Sequence, residues 1–380
     1  MVDLPRTIFS EEHEMFRDQV RRFLEVEVVP YHDEWERQGI VPRELWRKAG
    51  AQGFLCPLIP VEYGGAGADF GFSAVLIEEL ARVNATALGF TLHSDVMAPY
   101  ILRYGTEALK RAYLPKLASG ELIGALAMTE PGIGSDLKAM RATARRDGDH
   151  YVINGSKTFI TNGQNSGLVI LAVKTDPNAG RKGISLIVVE DGTPGFTKGR
   201  NLQKIGLHGQ DTAELFFDDM RVPVGNRLGE ENKGFYYLLT ELAQERLVVG
   251  VRAAASIEAM LERTIAYTRE RKAFDQSVFD FQNTRFKLAD AKAQSVMLRS
   301  FVDTCLGLHL KGQLTPELAA MVKLKGAELQ GAVLDELLQL HGGYGYMSEY
   351  VIGRAWVDAR VMRIYAGSSE IMREIIARTL

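Results

Sequence analysis

Glu245 stands where a hydrophobe is expected. An apolar stripe runs through Leu238, Leu242, Val249, Ile257, Met260, Leu261 and Ile265 at three- and four-residue intervals, and Glu245 falls on it, three residues after Leu242 and four before Val249. A carboxylate on a buried helix face costs several kcal/mol unless it is paired, and an unpaired one answers by raising its pKa toward neutrality. That environment makes a general base. The same residue could instead form an internal salt bridge with the adjacent Arg246, and the stripe alone does not separate the two readings.

Three glycine-containing stretches could bind a ligand. TEPGIGSD, residues 129 to 136, combines two glycines, which let backbone amides approach closely, with the hydroxyls of Thr129 and Ser135; it reads either as a tight turn or as a loop holding a flavin edge or pyrophosphate. QLHGGYGYMSEY, residues 339 to 350, breaks a helix with Gly342 and Gly343 beside the amide of Gln339, where a simple helix end needs one glycine. In IYAGSSEIMREIIAR, Gly367, Ser368 and Ser369 precede a helix bearing Glu370 and Glu374, whose free amides suit an anion or carbonyl. No GxGxxG follows a strand and no GxxxxGK[ST] occurs, which argues against Rossmann and P-loop sites. His93, His208 and His341 have no partner spacing and read as structural.

The elements that must position these residues fall into three blocks. Residues 1–122 read as an all-helical domain: Ser10 caps a helix striped by Phe16, Val20, Phe23 and Leu24, and PRELWRKAGAQG, GFSAVLIEELARVN, a segment near 86–104 and TEALKRAYLPKLASG follow. From 123 to 228 the period becomes that of strands. ELIGALAMTE, YVI and KTFIT around an Asn154-Gly155 hairpin signal, LVILAVKT, ISLIVVE and AELFFDD predict an antiparallel sheet domain. From 229 to the end helices return. The stretch 234–273 reads as one long helix, followed by two more and a last from about Ser368, predicting a four-helix bundle. The fold class expected is α+β, mostly α.

The composition excludes several functions. A net charge of −3, with 45 basic and 48 acidic residues spread throughout, gives no electrostatic footprint for nucleic acid or an anionic membrane. The two cysteines, Cys56 and Cys305, sit in no metal-binding or redox pattern, so no metal is expected. No apolar run approaches the ~18 residues of a membrane span, and the N-terminal stretch has no signal or transit character, so a cytoplasmic location is expected.

The order of domains, with AMTEPGIGSD, KTFITNG, RKAFDQSVFDFQ, QLHGGYGY and IYAGSSEIMREIIAR in sequence, resembles the acyl-CoA dehydrogenase family over essentially the whole chain, from about Ser10 to Leu380. The resemblance implies FAD as cofactor. Met128, Thr129, Gly134, Ser135, Phe159, Ile160 and Thr161 would line the flavin, with Ser135 also reaching the pantetheine of the substrate, and family members often carry tryptophan where Phe159 stands. Arg271, Phe274, Gln282, Gln339, Gly342 and Gly343 would hold the adenine dinucleotide end, partly across a subunit boundary, with Ser368 and Glu370 near the FAD of their own subunit. A homotetramer, built as a dimer of dimers, is implied.

The departure from the family lies at Ala366. Many members have Tyr-Glu-Gly there, and that glutamate is the catalytic base. The long-chain and isovaleryl subgroups place the base on the first helix of the C-terminal domain instead, and their motif matches ELAQERL at Glu245; ENKGFYYLLTELAQERLVVG looks most like the long-chain subgroup. By this match Tyr236, Arg246 and Gly367 lie near the thioester and CoA, and Arg181 and Lys182 suit a CoA phosphate. The backbone N–H of Ala366, with the FAD ribityl hydroxyl, would bind the enolate oxygen. The implied reaction is α,β-dehydrogenation of a long-chain or branched acyl-CoA to trans-2-enoyl-CoA, with electrons passed to an electron-transfer flavoprotein. The alternatives are an acyl-CoA oxidase, a desaturase acting on carrier-protein thioesters, and an inactive flavoprotein serving as a binding partner.

Overall fold

The computed structural model describes residues 4–380; Met1 to Asp3, the start of the stretch read above for targeting signals, lie outside the described residues. The N-terminal helices are α1 (Glu11–Phe23), α2 (His32–Gln38), α3 (Arg43–Ala51), α4 (Phe70–Arg82), α5 (Ala98–Tyr104) and α6 (Glu107–Ala118). Ser10 caps α1, its hydroxyl accepting from the His13 N–H while His13 Nδ1 accepts from the Ser10 N–H, which satisfies two otherwise free donors. Two π-helical turns interrupt this region: Leu24–Val28 continues α1, and Leu92–Met97 leads into α5. Such turns insert an extra residue and redirect side chains.

The strands are β1 (Gly124–Ala127), β2 (Thr143–Asp147), β3 (His150–Thr161), β4 (Leu168–Lys174), β5 (Ile184–Glu190), β6 (Phe196–Asn201), β7 (Thr212–Pro223) and β8 (Arg227–Leu228). They form one sheet in the order β6-β7-β3-β2-β4-β5-β8, with β1 added beside β4. The sheet is mixed rather than antiparallel, because β1 runs parallel to β4 and β2 meets β4 in parallel at Thr143–Lys174. Nor is Asn154-Gly155 a hairpin turn. It sits inside β3, which pairs with β2 on one side and β7 on the other, and the register shifts between Ile153 and Gly155. A side chain at Gly155, with φ of 140°, would lie 2.7 Å from Ala142 Cβ, so the glycine makes a bulge possible where neighbouring backbones crowd.

The C-terminal helices are α7 (Gly234–Glu270), α8 (Gln282–Leu310), α9 (Pro316–His341), α10 (Val351–Ala359) and α11 (Ser369–Ala377). Three of these are long and two short, so the last long helix expected from Ser368 is a nine-residue one, and α10 and α11 both pack on α9. The predicted helix over 234–273 ends at Glu270; Lys272–Ala273 instead pairs with Gln276–Ser277 in a small hairpin.

Helix α7 is central. It packs on α4 at one side and on α8 and α9 at the other, and Phe70, Ile77, Leu247, Val251, Ile257, Leu298, Val302 and Val322 share one core. Between Gln244 and Ile257 every residue but Arg252 is buried. A helix enclosed on nearly all sides leaves a carboxylate in its middle little contact with water. Gly250 permits the closest approach, since a Cβ there would lie 2.8 Å from Val322 Cγ2 on α9. A buried ionic cluster ties the helical blocks together: Glu78 of α4 accepts from Arg6, Arg17 and Arg299 at 2.7 to 3.1 Å.

Candidate active site

Glu245 is 6% exposed, and its Oε1 accepts a 3.0 Å hydrogen bond from the hydroxyl of Tyr100 on α5. No salt bridge joins it to Arg246. Burial drives the carboxyl up from its ordinary 4.5 to about 7; nearby Glu241 pushes the same way, while the Tyr100 hydrogen bond and the Arg246 charge oppose them. Glu241, one turn earlier, is itself buried and accepts from Arg103 and, at 2.9 Å, from the Tyr104 hydroxyl. Arg246 is 5% exposed, its Nε has no partner among the described residues, and burial pulls the guanidinium below its ordinary value. A buried carboxyl whose pKa is raised toward neutrality, next in sequence to a guanidinium with an unpartnered Nε, differs from the carboxylate of a structural ion pair, whose pKa its partner would lower.

One turn beyond Glu245, Val249 packs in a small cluster with Ala253, Ala327 and Met362, against which Tyr365 and Ala366 lie. The loop from 364 to 368 thus runs beside the same face of α7. Ala366 has φ of 51° and Gly367 φ of 91°, a left-handed pair in which the alanine is strained. Among the described residues the Ala366 N–H has no hydrogen-bond partner. The Gly367 carbonyl accepts from Lys323 of α9 at 2.6 Å. Ser368 caps α11 through the Ile371 N–H at 3.4 Å, and Glu370 is exposed in its first turn.

The loop after β1 reaches the opening turns of α7 through a second core. Met128, Ile133 and Leu137 pack against the cluster that contains Leu126, Tyr100 and Leu238, together with Phe235 and Tyr237. Buried Lys157 of β3 fixes the loop, donating at 2.9 Å both to the Met128 carbonyl and to Glu130, which also accepts from the Arg141 and Ala142 N–H groups. Gly134 and Ser135 are exposed, and nothing lies within 4 Å of where a Cβ on Gly132 or Gly134 would stand. Phe159, two residues past Lys157, is 67% exposed with φ of 59°. Thr161 is half-buried, but the Ile160 side chain is packed in the sheet core with Tyr151 and Leu171, so it can offer a ligand only its backbone. An exposed phenyl ring held in a strained conformation near an open, glycine-lined loop fits a flat aromatic group.

Tyr236 is 67% exposed at the start of α7, and the Arg181 guanidinium lies over the neighbouring Phe235 ring at 5.8 Å. Arg181, Lys182 and Tyr236 therefore form one exposed, cationic and aromatic rim at this end of the helix. Arg271, Phe274, Gln282, Gln339, Gly342 and Gly343 form a separate group. Arg271 lies 5.4 Å over Tyr344, and Tyr267 stacks on His341, joining the ends of α7 and α9. Phe274 is 90% exposed with φ of 50°, and Gln282, Gln339, Gly342 and Gly343 are exposed. Arg271 stands 26 residues beyond Glu245 along the α7 line, about 39 Å at 1.5 Å per residue, so this group does not share a site with Glu245 in the same chain.

Tyr100, Lys323 and Lys157 were not among the residues singled out in the sequence. Tyr100 sits in an apolar segment where its hydroxyl has no local partner, Lys323 is one of many lysines on an amphipathic helix, and Lys157 belongs to a strand that alternates with polar residues. Only for Lys157, inside KTFITNG, does a motif mark the position.

Comparison with known proteins gives three family models in succession: the acyl-CoA dehydrogenase N-terminal domain over residues 10–121, the middle domain over 125–220 and the C-terminal domain over 232–380. The long-chain specific acyl-CoA dehydrogenase of Sus scrofa mitochondria is 51% identical over 99% of this chain and 88% of its own. Among solved structures, an acyl-CoA dehydrogenase of Geobacillus kaustophilus is 50% identical with a TM-score of 0.97 over 99% of both chains. A glutaryl-CoA dehydrogenase of Mycobacterium smegmatis in complex with FADH2 is 29% identical with a TM-score of 0.90, covering 98% of this chain and 95% of its own. With three family models matched in order across the chain and a relative half identical over nearly its whole length, the chain belongs to the acyl-CoA dehydrogenase family of oxidoreductases.

Proposed function

We propose that the protein is an FAD-dependent dehydrogenase of long-chain or branched acyl-CoA thioesters, with Glu245 as the base that removes the α-proton. The observation that carries this reading is the Glu245 carboxyl itself, buried, bonded to Tyr100 and pushed up to about 7 by its burial. A group with that pKa is ionised often enough at neutral pH to accept a proton and basic enough to hold it.

The α-hydrogen of a thioester is a weak acid, so the base needs help where charge develops. The free N–H of Ala366 supports a role as donor to the thioester oxygen, and such a donor is typically worth about 3 to 4 kcal/mol when held in advance. Replacement of the family's glutamate by alanine at 366 removes a side chain but keeps that donor. Arg246, buried and unsatisfied, adds positive potential beside the developing enolate. FAD, when bound, supplies the acceptor for the hydride that leaves the β-carbon. The open loop at Gly132 and Gly134, the hydroxyls of Thr129, Ser135 and Thr161, and the exposed Phe159 ring would hold its flavin end, while the Arg181, Lys182 and Tyr236 rim would take the CoA.

The remote group at Arg271, Phe274, Gln282, Gln339, Gly342 and Gly343 lies too far along α7 to serve the same molecule of cofactor from within one chain. Their exposure and separation support a partner copy supplying the adenine end, and hence a homotetramer built as a dimer of dimers. Glu370 and Ser368 stay with their own subunit's site. An electron-transfer flavoprotein is the proposed acceptor in the second half-reaction.

The test is anaerobic reduction of the flavin by a panel of acyl-CoA thioesters, comparing wild type with Glu245→Gln. Wild type should bleach rapidly with one chain-length class, and the variant should bind the same thioester but bleach about 10² to 10⁴ times more slowly. A variant that keeps more than about a tenth of the wild-type rate removes Glu245 from the base role.

A further inference from the structure

Lys323 is a lysine with no exposed surface, in the middle of α9, and the chemistry above does not use it. An ammonium in such a place is costly to desolvate, and a methionine or leucine would fill the same space without that cost. Among the described residues it has no carboxylate in salt-bridge reach, and its one hydrogen-bond partner is the Gly367 carbonyl at 2.6 Å. Its charged neighbours are Arg246 across the α7 contact, which acts against its charge, and the more distant Glu370 and Glu328, which favour it; burial, the largest effect, brings it down to about 8.

The segment it holds is the strained one. A left-handed alanine followed by a left-handed glycine persists only where the surroundings over-determine it. Three tethers do so here. Tyr365 and Ala366 pack on Val249 and Met362, Ser368 caps α11, and between them Lys323 draws the Gly367 carbonyl toward α9. The first two set the ends of the loop. The third holds the peptide plane that carries the Gly367 carbonyl, two peptide units downstream of the one that carries the unpaired Ala366 N–H.

We propose that Lys323 is a positioning residue for the enolate-binding site: its ammonium, anchored on the Gly367 carbonyl, holds the 365–368 loop so that the Ala366 N–H stays aimed at the thioester oxygen opposite Glu245. This rests on the reading of Glu245 and Ala366 given above. Removing the anchor leaves the donor present but misdirected, so the loss falls in the chemical step rather than in substrate binding.

The experiment compares wild type, Lys323→Met, Lys323→Arg and Glu245→Gln as flavin-loaded oligomers. Flavin content, single-turnover reduction at saturating acyl-CoA, thioester affinity and amide hydrogen exchange of the 364–368 segment are measured on each. Lys323→Met should reduce roughly 10 to 100 times more slowly, below the 10² to 10³ of losing a donor outright, with affinity changed less than about threefold. Its 364–368 amides should exchange about tenfold faster, and Lys323→Arg, which keeps cation and donor, should restore part of both. Glu245→Gln should stop reduction without altering exchange in the loop. The proposal is overturned if Lys323→Met lowers the melting temperature alone, or reduces within about twofold of wild type while wild type bleaches and Glu245→Gln does not. If wild type itself is not bleached by any acyl-CoA, the functional reading fails and this proposal falls with it.

Discussion

Removing a single oxygen from Tyr100 should shift the pH at which the enzyme switches on. The Tyr100 hydroxyl donates to Glu245 Oε1 at 3.0 Å and so favours the ionised carboxylate. Tyr100→Phe deletes that donor and leaves burial and the Glu241 charge, both of which raise the carboxyl pKa, opposed only by Arg246. A hydrogen bond to a charged group contributes about 1.5 to 3 kcal/mol, which at 1.36 kcal/mol per pKa unit corresponds to a rise of about 1 to 2 units. From about 7 in wild type the carboxyl would titrate at roughly 8 to 9. At pH ~7 the ionised fraction then falls from about a half to between about a tenth and a hundredth, so kcat/KM should drop ~5- to 50-fold and recover as the pH approaches ~10. The assay is stopped-flow flavin reduction by a saturable acyl-CoA over this pH range. Because the phenyl ring keeps the packing in the core beside Leu238, the high-pH plateau should stay near that of wild type. An acid limb that stays in place, or moves to lower pH, would falsify the account of how Glu245 is tuned.

Two other perturbations follow from the same buried groups. Glu245 has its pKa raised from 4.5 to about 7, so the folded protein binds the extra proton between those values, and the contribution of this one group to stability is fully present below 4.5 and is lost as pH rises through 7. That amounts to about 3 kcal/mol at neutral pH, and Glu245→Gln should therefore melt higher than wild type at pH ~8 with the advantage gone at pH ~4, checked by paired thermal scans. Lys157→Met leaves Glu130 buried without its cation, although the Arg141 and Ala142 N–H groups remain. Breaking such a pair costs about 3 to 5 kcal/mol, and the loop at 128–135 should loosen with it, seen as a lower melting temperature and a lower flavin-to-protein ratio; an unchanged ratio would separate Lys157 from the cofactor site.

Much of the fold is written in local patterns. The apolar stripe of α7, the Ser10 cap and the fully apolar runs of β4 and β5 each follow from periodicity or capping chemistry that acts within a few residues. Where the pattern misled, the cause was non-local. Asn154-Gly155 carries the dipeptide of a hairpin, but β3 is flanked by β2 and β7 along its length, and two ladders of hydrogen bonds outweigh a turn preference. The parallel pairings of β1 and β2 with β4 are likewise invisible, since strand direction is decided by the connections.

For the site, the sequence by itself determined which residue breaks its pattern and which loops are rich in glycine and hydroxyls: a carboxylate on an apolar stripe is anomalous in any fold. It also determined the family, through motifs in order. What it could not determine was the environment of Glu245. Tyr100 is 145 positions away and Lys323 is 44 positions from the carbonyl it anchors, and neither has a local reason to be polar or charged. Whether Glu245 would form an ion pair with Arg246 or keep a raised pKa without one was decided by the tertiary structure. The enclosure of α7 by α4, α8 and α9 removed water from the carboxyl, Tyr100 gave it one donor, and among the described residues no cation comes within salt-bridge distance, although the Arg246 charge acts on it from farther away. Desolvation is a property of everything packed around a group, and so a pKa, unlike a helix, cannot be read from the few residues on either side.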